Sequence, residues 1–266
     1  QIIPDLAEVR PSHVIIAGEV QGEDGAPVFA NTDELPAWTL DTVHLPAELP
    51  MDIFAVTAPE GAQHVRVRAM EMYNGYFKRE FEANLEVVDG QVSSDTDTDV
   101  LKIAVIDRHH GTAETGIGFV RGFGLTRGAV AITMNCPNMN VAVVGADDAS
   151  MRLAVEELAR MGGGFVTVAD GEVVGRVPLP VGGMMSAAPW QETADALAAG
   201  HAATAALGCR IPSPYIILSF VGLYVVPDLG LTERGLIDAA TQSFVDVLLP
   251  GPAGACGHTH DHGEHP

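Results

Sequence analysis

The chain has 266 residues, 47% of them hydrophobic, which is enough for one large domain or for a small domain beside a medium one with its own core. Its 14 Lys plus Arg stand against 35 Asp plus Glu, a formal net charge of −21, so nucleic acid is not expected as a partner: phosphate binding rests on cationic side chains, and Lys78 and Lys102 are the only lysines. The longest apolar stretch, residues 215–226, contains Ser219 and Gly222 and is too short to span a bilayer, so it reads as a buried element and no membrane partner is expected.

Gln1 stands where an initiator Met would, and no basic segment followed by an apolar one opens the chain, so it reads as the interior of a longer gene product without a secretory signal. Cys136, Cys209 and Cys256 are odd in number and widely spaced, which fits neither a disulfide framework nor a structural zinc site; a cytoplasmic location follows as the expectation.

In chain order, residues 12–20 and 26–29 alternate like a hairpin turned through the Gly- and Asp-containing residues 21–25. Residues 30–61, rich in Pro and Asp, have no sustained period and read as a surface connection. Strands are expected over 64–72 and 82–88, with Asp89-Gly90 as a turn, and then over 100–107, 117–122, 128–134 and 140–145, short runs dense in Val, Ile, Ala and Phe. Asp148 is positioned to cap a helix whose Met151, Val155, Leu158 and Met161 recur at helical spacing, and residues 162–164, all Gly, can end it in a left-handed cap. A second hairpin over 165–177 turns at Asp170-Gly171, and an Ala-rich helix over 191–207 stops at Gly208. Strands come first and mixed elements follow, which favours an α+β fold, a mixed sheet layered with helices, with α/β as the alternative.

Several motifs could carry chemistry. The tail from Cys256, with His258, His260, His262 and His265, has the imidazoles and thiol that zinc, nickel or copper prefer, but it lies among Gly and Pro at the terminus, where a disordered tail is the competing reading. Asp95, Asp97 and Asp99 alternate like the start of a calcium loop, yet Val100 stands where that loop needs Gly and Ile106 where it needs Glu, so a solvated turn is expected. The Gly triplet follows a helix instead of preceding one and cannot present a helix N-terminus to phosphate. His109 and His110 close a strand beside Arg108, either as substrate contacts or as partly exposed structural histidines. The most unusual local chemistry is the loop of Asn135, Cys136, Pro137, Asn138, Met139 and Asn140: its amides could read the edge of a purine, making Asn135, Cys136, Asn138 and Asn140 candidate substrate-binding residues, or they could satisfy backbone groups in an Asx-type turn. No catalytic residue is identified.

Taken together, residues 101–111 (LKIAVIDRHHG), 118–125 (GFVRGFGL), 178–186 (PLPVGGMMS), 218–220 (LSF) and 231–236 (LTERGL) resemble the C-terminal domain of bacterial and archaeal adenine deaminases, over about residues 99–244. Residues 5–18 look like the last strands of the small β-sandwich that follows the amidohydrolase barrel. The resemblance implies four parts: the end of that sandwich (1–30), a connection (31–61), the C-terminal domain (62–250) and a His-rich tail (251–266). It also implies hydrolysis of adenine to hypoxanthine and ammonia in purine salvage, by water activated on manganese or iron in an upstream (β/α)8 barrel. Those metal ligands precede the part represented here, so this chain alone is expected to be inactive. The expected partners are the barrel, a purine substrate in the complete enzyme and further copies in a homo-oligomer. Where the family has Ser-His-Asp-Ser-His-Asn, this chain keeps only Asn140, so the 135–140 loop has lost two imidazoles and a carboxylate. That departure motivates an alternative, a non-catalytic module that binds a purine or a partner protein.

Overall fold

The computed structural model describes residues 1–29, 34–75 and 77–251, which fall into two units divided after Pro36. The first unit is a three-stranded antiparallel sheet of β1 (His13–Ile16), β2 (Glu19–Glu23) and β3 (Ala26–Pro27), paired in that order. Its strands are shorter and one more numerous than the sequence suggests. Ala17 and Gly18 take positive φ (51° and 86°) and reverse the chain inside what reads as one strand, and Asp24-Gly25 repeats the turn. A two-residue turn of this kind matches strand twist, and Ala is an unusual residue for it, so the first reversal is easily missed.

The second unit is built on a nine-stranded sheet. Its strands are β4 (His64–Asn74), β5 (Phe77–Val88), β6 (Gln91–Val92), β7 (Leu101–Ile106), β8 (Thr115–Arg121), β9 (Ala129–Asn135), β10 (Asn140–Gly145), β11 (Gly164–Ala169) and β12 (Glu172–Pro178). They lie in the order β12-β11-β9-β10-β7-β8-β4-β5-β6, antiparallel except where β4 meets β8. Central strands covered on both faces read as continuous apolar runs, and β7, β10 and β11 are buried at every residue.

Side-chain alternation divides the core between the two faces. Ala104, Ile106, Val141 and Val143 point to the side covered by α1 (Asp148–Met161), whose Met151, Ala154, Val155 and Leu158 form its apolar stripe, and Leu49, Ile53 and Phe54 join this layer. Leu101, Ile103, Val105, Ala142 and Val144 point to the other side, under α2 (Trp190–Ala206), α3 (Pro214–Ser219) and a small antiparallel sheet of β13 (Leu229–Thr232), β14 (Gly235–Asp238) and β15 (Ser243–Val245). The fold is thus α+β, helices layered on a mixed sheet.

Helix α1 is capped by Asp147, one residue before the expected Asp148: the Asp147 carboxylate accepts from the Ser150 amide at 2.7 Å and also from its hydroxyl. Asp148 instead receives Lys102 Nζ at 2.7 Å and, as a first-turn acid, faces the positive end of the helix. At the other end Gly162 adopts φ 73° and donates to Ala159, while Gly163 donates to Leu158, as expected of a glycine cap. Residues 215–226 do not form one buried element: α3 ends at Ser219, an irregular turn follows, and Val225 is exposed. Among the described residues no helix is long and apolar enough to cross a membrane.

Candidate functional site

The β7–β8 connection (107–114) and the β9–β10 connection (136–139) emerge at the same end of the sheet, because Val141 pairs with Ile106 and Thr115 lies across from that same residue. The β13–β14 turn comes to this end as well. Gly116 in β8 lies so close to the Thr232 carbonyl and Gly235 backbone that a β-carbon would not fit, which presses the turn carrying Glu233 against the sheet. Three segments remote in sequence therefore meet around the 135–140 loop.

Arg108 sits beneath that loop, 2% exposed. Its Nε donates to the Met139 carbonyl at 2.5 Å, Nη1 to the Thr42 carbonyl at 2.6 Å and Nη2 to the Gly182 carbonyl at 3.0 Å, so one guanidinium ties together residues 42, 139 and 182. No carboxylate pairs with it among the described residues, and desolvation lowers its pKa. The close approach needs glycine: a β-carbon at Gly183 would lie 2.7 Å from Arg108 Nη1, and one at Gly163 would lie 2.6 Å from Gly183 Cα. The triplet at 162–164 thus serves both as a helix cap and as a seat for the 181–185 turn.

Asp107, also buried, accepts from the amides of His109 (3.3 Å) and His110 (3.0 Å) and from His110 Nδ1 (3.1 Å). Burial alone would raise its pKa, but the hydrogen bonds from His110 and His109 outweigh it and the carboxyl is held below its ordinary value. His109 meets the Asn138 carbonyl through Nε2 at 2.9 Å, and its own carbonyl faces His44 Nδ1 at 3.3 Å. His44 Nε2 lies 3.2 Å from Asp41, and the His44 pKa is raised, chiefly by the hydrogen bond to the His109 carbonyl, with desolvation opposing it and Asp41 adding to it. Both flanking groups are acceptors, so the doubly protonated ring satisfies both.

The candidate substrate-binding residues are brought together, and their amides bond mainly to one another and to the scaffold. Asn135 is fully buried; its Oδ1 accepts from the Gly222 amide at 3.1 Å and its Nδ2 faces Asn138 Oδ1 at 3.4 Å. Asn140, 2% exposed, accepts the Arg108 amide at 3.2 Å and donates to Glu233 Oε2 at 3.0 Å. Asn138, half-buried, donates to the same Glu233 oxygen at 2.6 Å. Cys136 is partly buried, and its amide donates to the Ser219 carbonyl at 2.8 Å. The candidate metal ligands His258, His260 and His262 lie outside the described residues; among those described, no group of three or more His, Cys, Asp or Glu side chains is arranged to hold a metal. In the 95–99 segment, Asp95 accepts from the amides of Asp97 and Thr98, while Asp99 accepts from those of Gly122 and Gly124, which accounts for those carboxylates as turn-forming groups.

A family model of the adenine deaminase C-terminal domain matches residues 76–243, a span that holds Arg108, the whole 135–140 loop and Glu233. The chain belongs to the adenine deaminase C-terminal domain family. Proteins named adenine deaminase are similar along nearly all of it: one from Moorella thermoacetica is 40% identical over 252 residues, one from Clostridium botulinum strain Langeland 36% over 251 and one from Dehalococcoides mccartyi strain BAV1 32% over 245. These alignments cover 92–93% of this chain but only 41–42% of the relatives, so the chain spans well under half the length of the adenine deaminases it matches.

Glu233 is the site residue that sequence reasoning misses. It lies in the 231–236 segment that carries part of the resemblance, but its partner Asn138 is 95 positions away and no local pattern links the two. Thr42 and Gly182 are hidden in the same way, since they act through backbone carbonyls.

Proposed function

We propose that this chain is the C-terminal portion of an adenine deaminase-like hydrolase. In the complete protein it would buttress a metal-bearing amidohydrolase barrel and shape the rim of the purine site through the 107–114 and 135–140 connections. The observation that carries the proposal is the combination of the domain match with similarity, along nearly all of this chain, to proteins named adenine deaminase. The overall reaction is adenine plus water to hypoxanthine plus ammonia, in cytoplasmic purine salvage. Manganese or iron belongs, in this reading, to the portion of the relatives that this chain does not span, because the described residues offer no fitting ligand set. The assembled protein is a homo-oligomer in the same reading.

Ammonia release from adenine with manganese, measured for this chain and for the complete gene product, tests the proposal. Turnover is expected from the complete protein and none from the chain alone. Turnover by the chain alone overturns the division of labour, and an inactive complete protein that carries the metal overturns the deaminase reading in favour of a binding module.

A further inference from the structure

The hydrogen bonds of the 135–140 loop reassign its binding capacity. A carboxylate can only accept, so Glu233 Oε2, by taking the Nδ2 groups of both Asn138 and Asn140, fixes which way each carboxamide faces. The oxygens of both amides are then turned to backbone donors, Asn140 Oδ1 to the Arg108 amide and Asn138 Oδ1 to the Asn140 amide. The Asn138 carbonyl meets His109, and the Asn135 oxygen meets the Gly222 amide. Glu233 itself is half-buried and uses one oxygen only; its Oε1 has no partner among the described residues. A solvent-reached carboxylate oxygen, held in place by two amides bonded to its twin, is a preorganised acceptor for an N–H group.

We infer that Glu233 is the ligand-binding residue of this loop, its free oxygen accepting the exocyclic amine of an aminopurine while the Asn138 and Asn140 amides hold the carboxylate in place. The choice of aminopurine rests on the deaminase reading above; the acceptor role rests on the loop geometry alone.

The complete gene product is compared with its Glu233→Gln and Glu233→Asp forms by steady-state kinetics on adenine and, after chelation of its metal so that adenine is not consumed, by equilibrium dialysis against adenine and against purine, which lacks the amine. A hydrogen bond to a charged group predicts that Glu233→Gln weakens adenine retention about tenfold or more, raises KM by a similar factor with kcat nearly unchanged, and leaves purine retention within about twofold. Glu233→Asp, which keeps the charge, recovers part of the loss. Equal weakening of adenine and purine would mark Glu233 as a structural support only and overturn the inference, as would unchanged adenine retention in Glu233→Gln or no adenine retention by the unaltered protein. If the unaltered protein retains adenine without deaminating it, the deaminase reading fails, and the dialysis comparison still decides the role of Glu233.

Discussion

Two buried cations occupy opposite ends of the same pair of strands, and their surroundings differ in kind. Lys102, opposite Gly145 at one end of the β7–β10 ladder, donates to both oxygens of Asp148 (2.7 and 2.9 Å) and to the Phe54 carbonyl (2.9 Å), beside a helix cap made two residues away by Asp147 and Ser150. Arg108, just past Ile106 at the other end, is met among the described residues by three carbonyls and the Thr42 hydroxyl, while the acids nearby serve other donors: Asp107 takes His110, and Glu233 takes two amides. The first end neutralises its charge locally. Among the described residues, the second end holds a guanidinium with no carboxylate on it, three imidazoles near the surface and a carboxylate oxygen without a partner, so its charges are not paired off locally as at the first end.

The largest difference between the two ends is expected on removal of each cation. Arg108→Met leaves the carbonyls of Met139, Thr42 and Gly182 buried without their donor and releases three segments at once, so a loss of about 3–5 kcal/mol is expected in urea denaturation. Lys102→Met should cost only about 1 kcal/mol, because Asp148 is 52% exposed at its side chain and regains water, leaving chiefly the Phe54 carbonyl unmet. Losses of equal size in the two variants would contradict the claim that the two ends are built differently.

The same contrast governs how much of each end the sequence encodes. The Lys102 end rests on local signals: an acidic cap before a 3.6-residue apolar stripe, a Gly stop, and apolar strand runs whose burial the sequence announces. Even there the cap lies one residue before the position the sequence suggests, since Asp147 and Asp148 are adjacent and only the fold decides which meets the helix amides and which meets Lys102. The Arg108 end assembles residues 42, 108, 139, 182 and 233, largely through backbone carbonyls and a carboxylate 95 positions from its partner, and no periodicity encodes such contacts. Its loop composition marked the place, and its bonding pattern became visible only in three dimensions. Strands β13–β15 escaped for a related reason: each has three or four residues, and they are held by packing on the large sheet more than by their own alternation.

The smallest expected effect concerns pH at the Arg108 end. His44 bridges Asp41 and the His109 carbonyl, and its amide donates to the Arg108 carbonyl, so protonation of the ring helps hold residues 41–44 over the strand end. Asp41 and the ring of His44 are exposed to solvent, His110 is engaged by Asp107, and Arg108 lies buried behind, so the neighbouring carboxylate Asp41 and the His109 carbonyl are the groups that favour the charged ring. A folded-state pKa raised above the ordinary 6.5 means the folded protein holds the proton more tightly than the unfolded chain. The contribution is therefore complete below about pH 6.5 and disappears as pH rises through the raised folded value. His44→Gln should then lower the thermal midpoint slightly at pH 5.5 and not at pH 8.5, read as the difference from the unaltered protein at each pH. A difference that stays constant, or grows toward alkaline pH, would mean that the ring holds residues 41–44 by shape and neutral hydrogen bonding, and the contrast between the two ends would then rest on Arg108 alone.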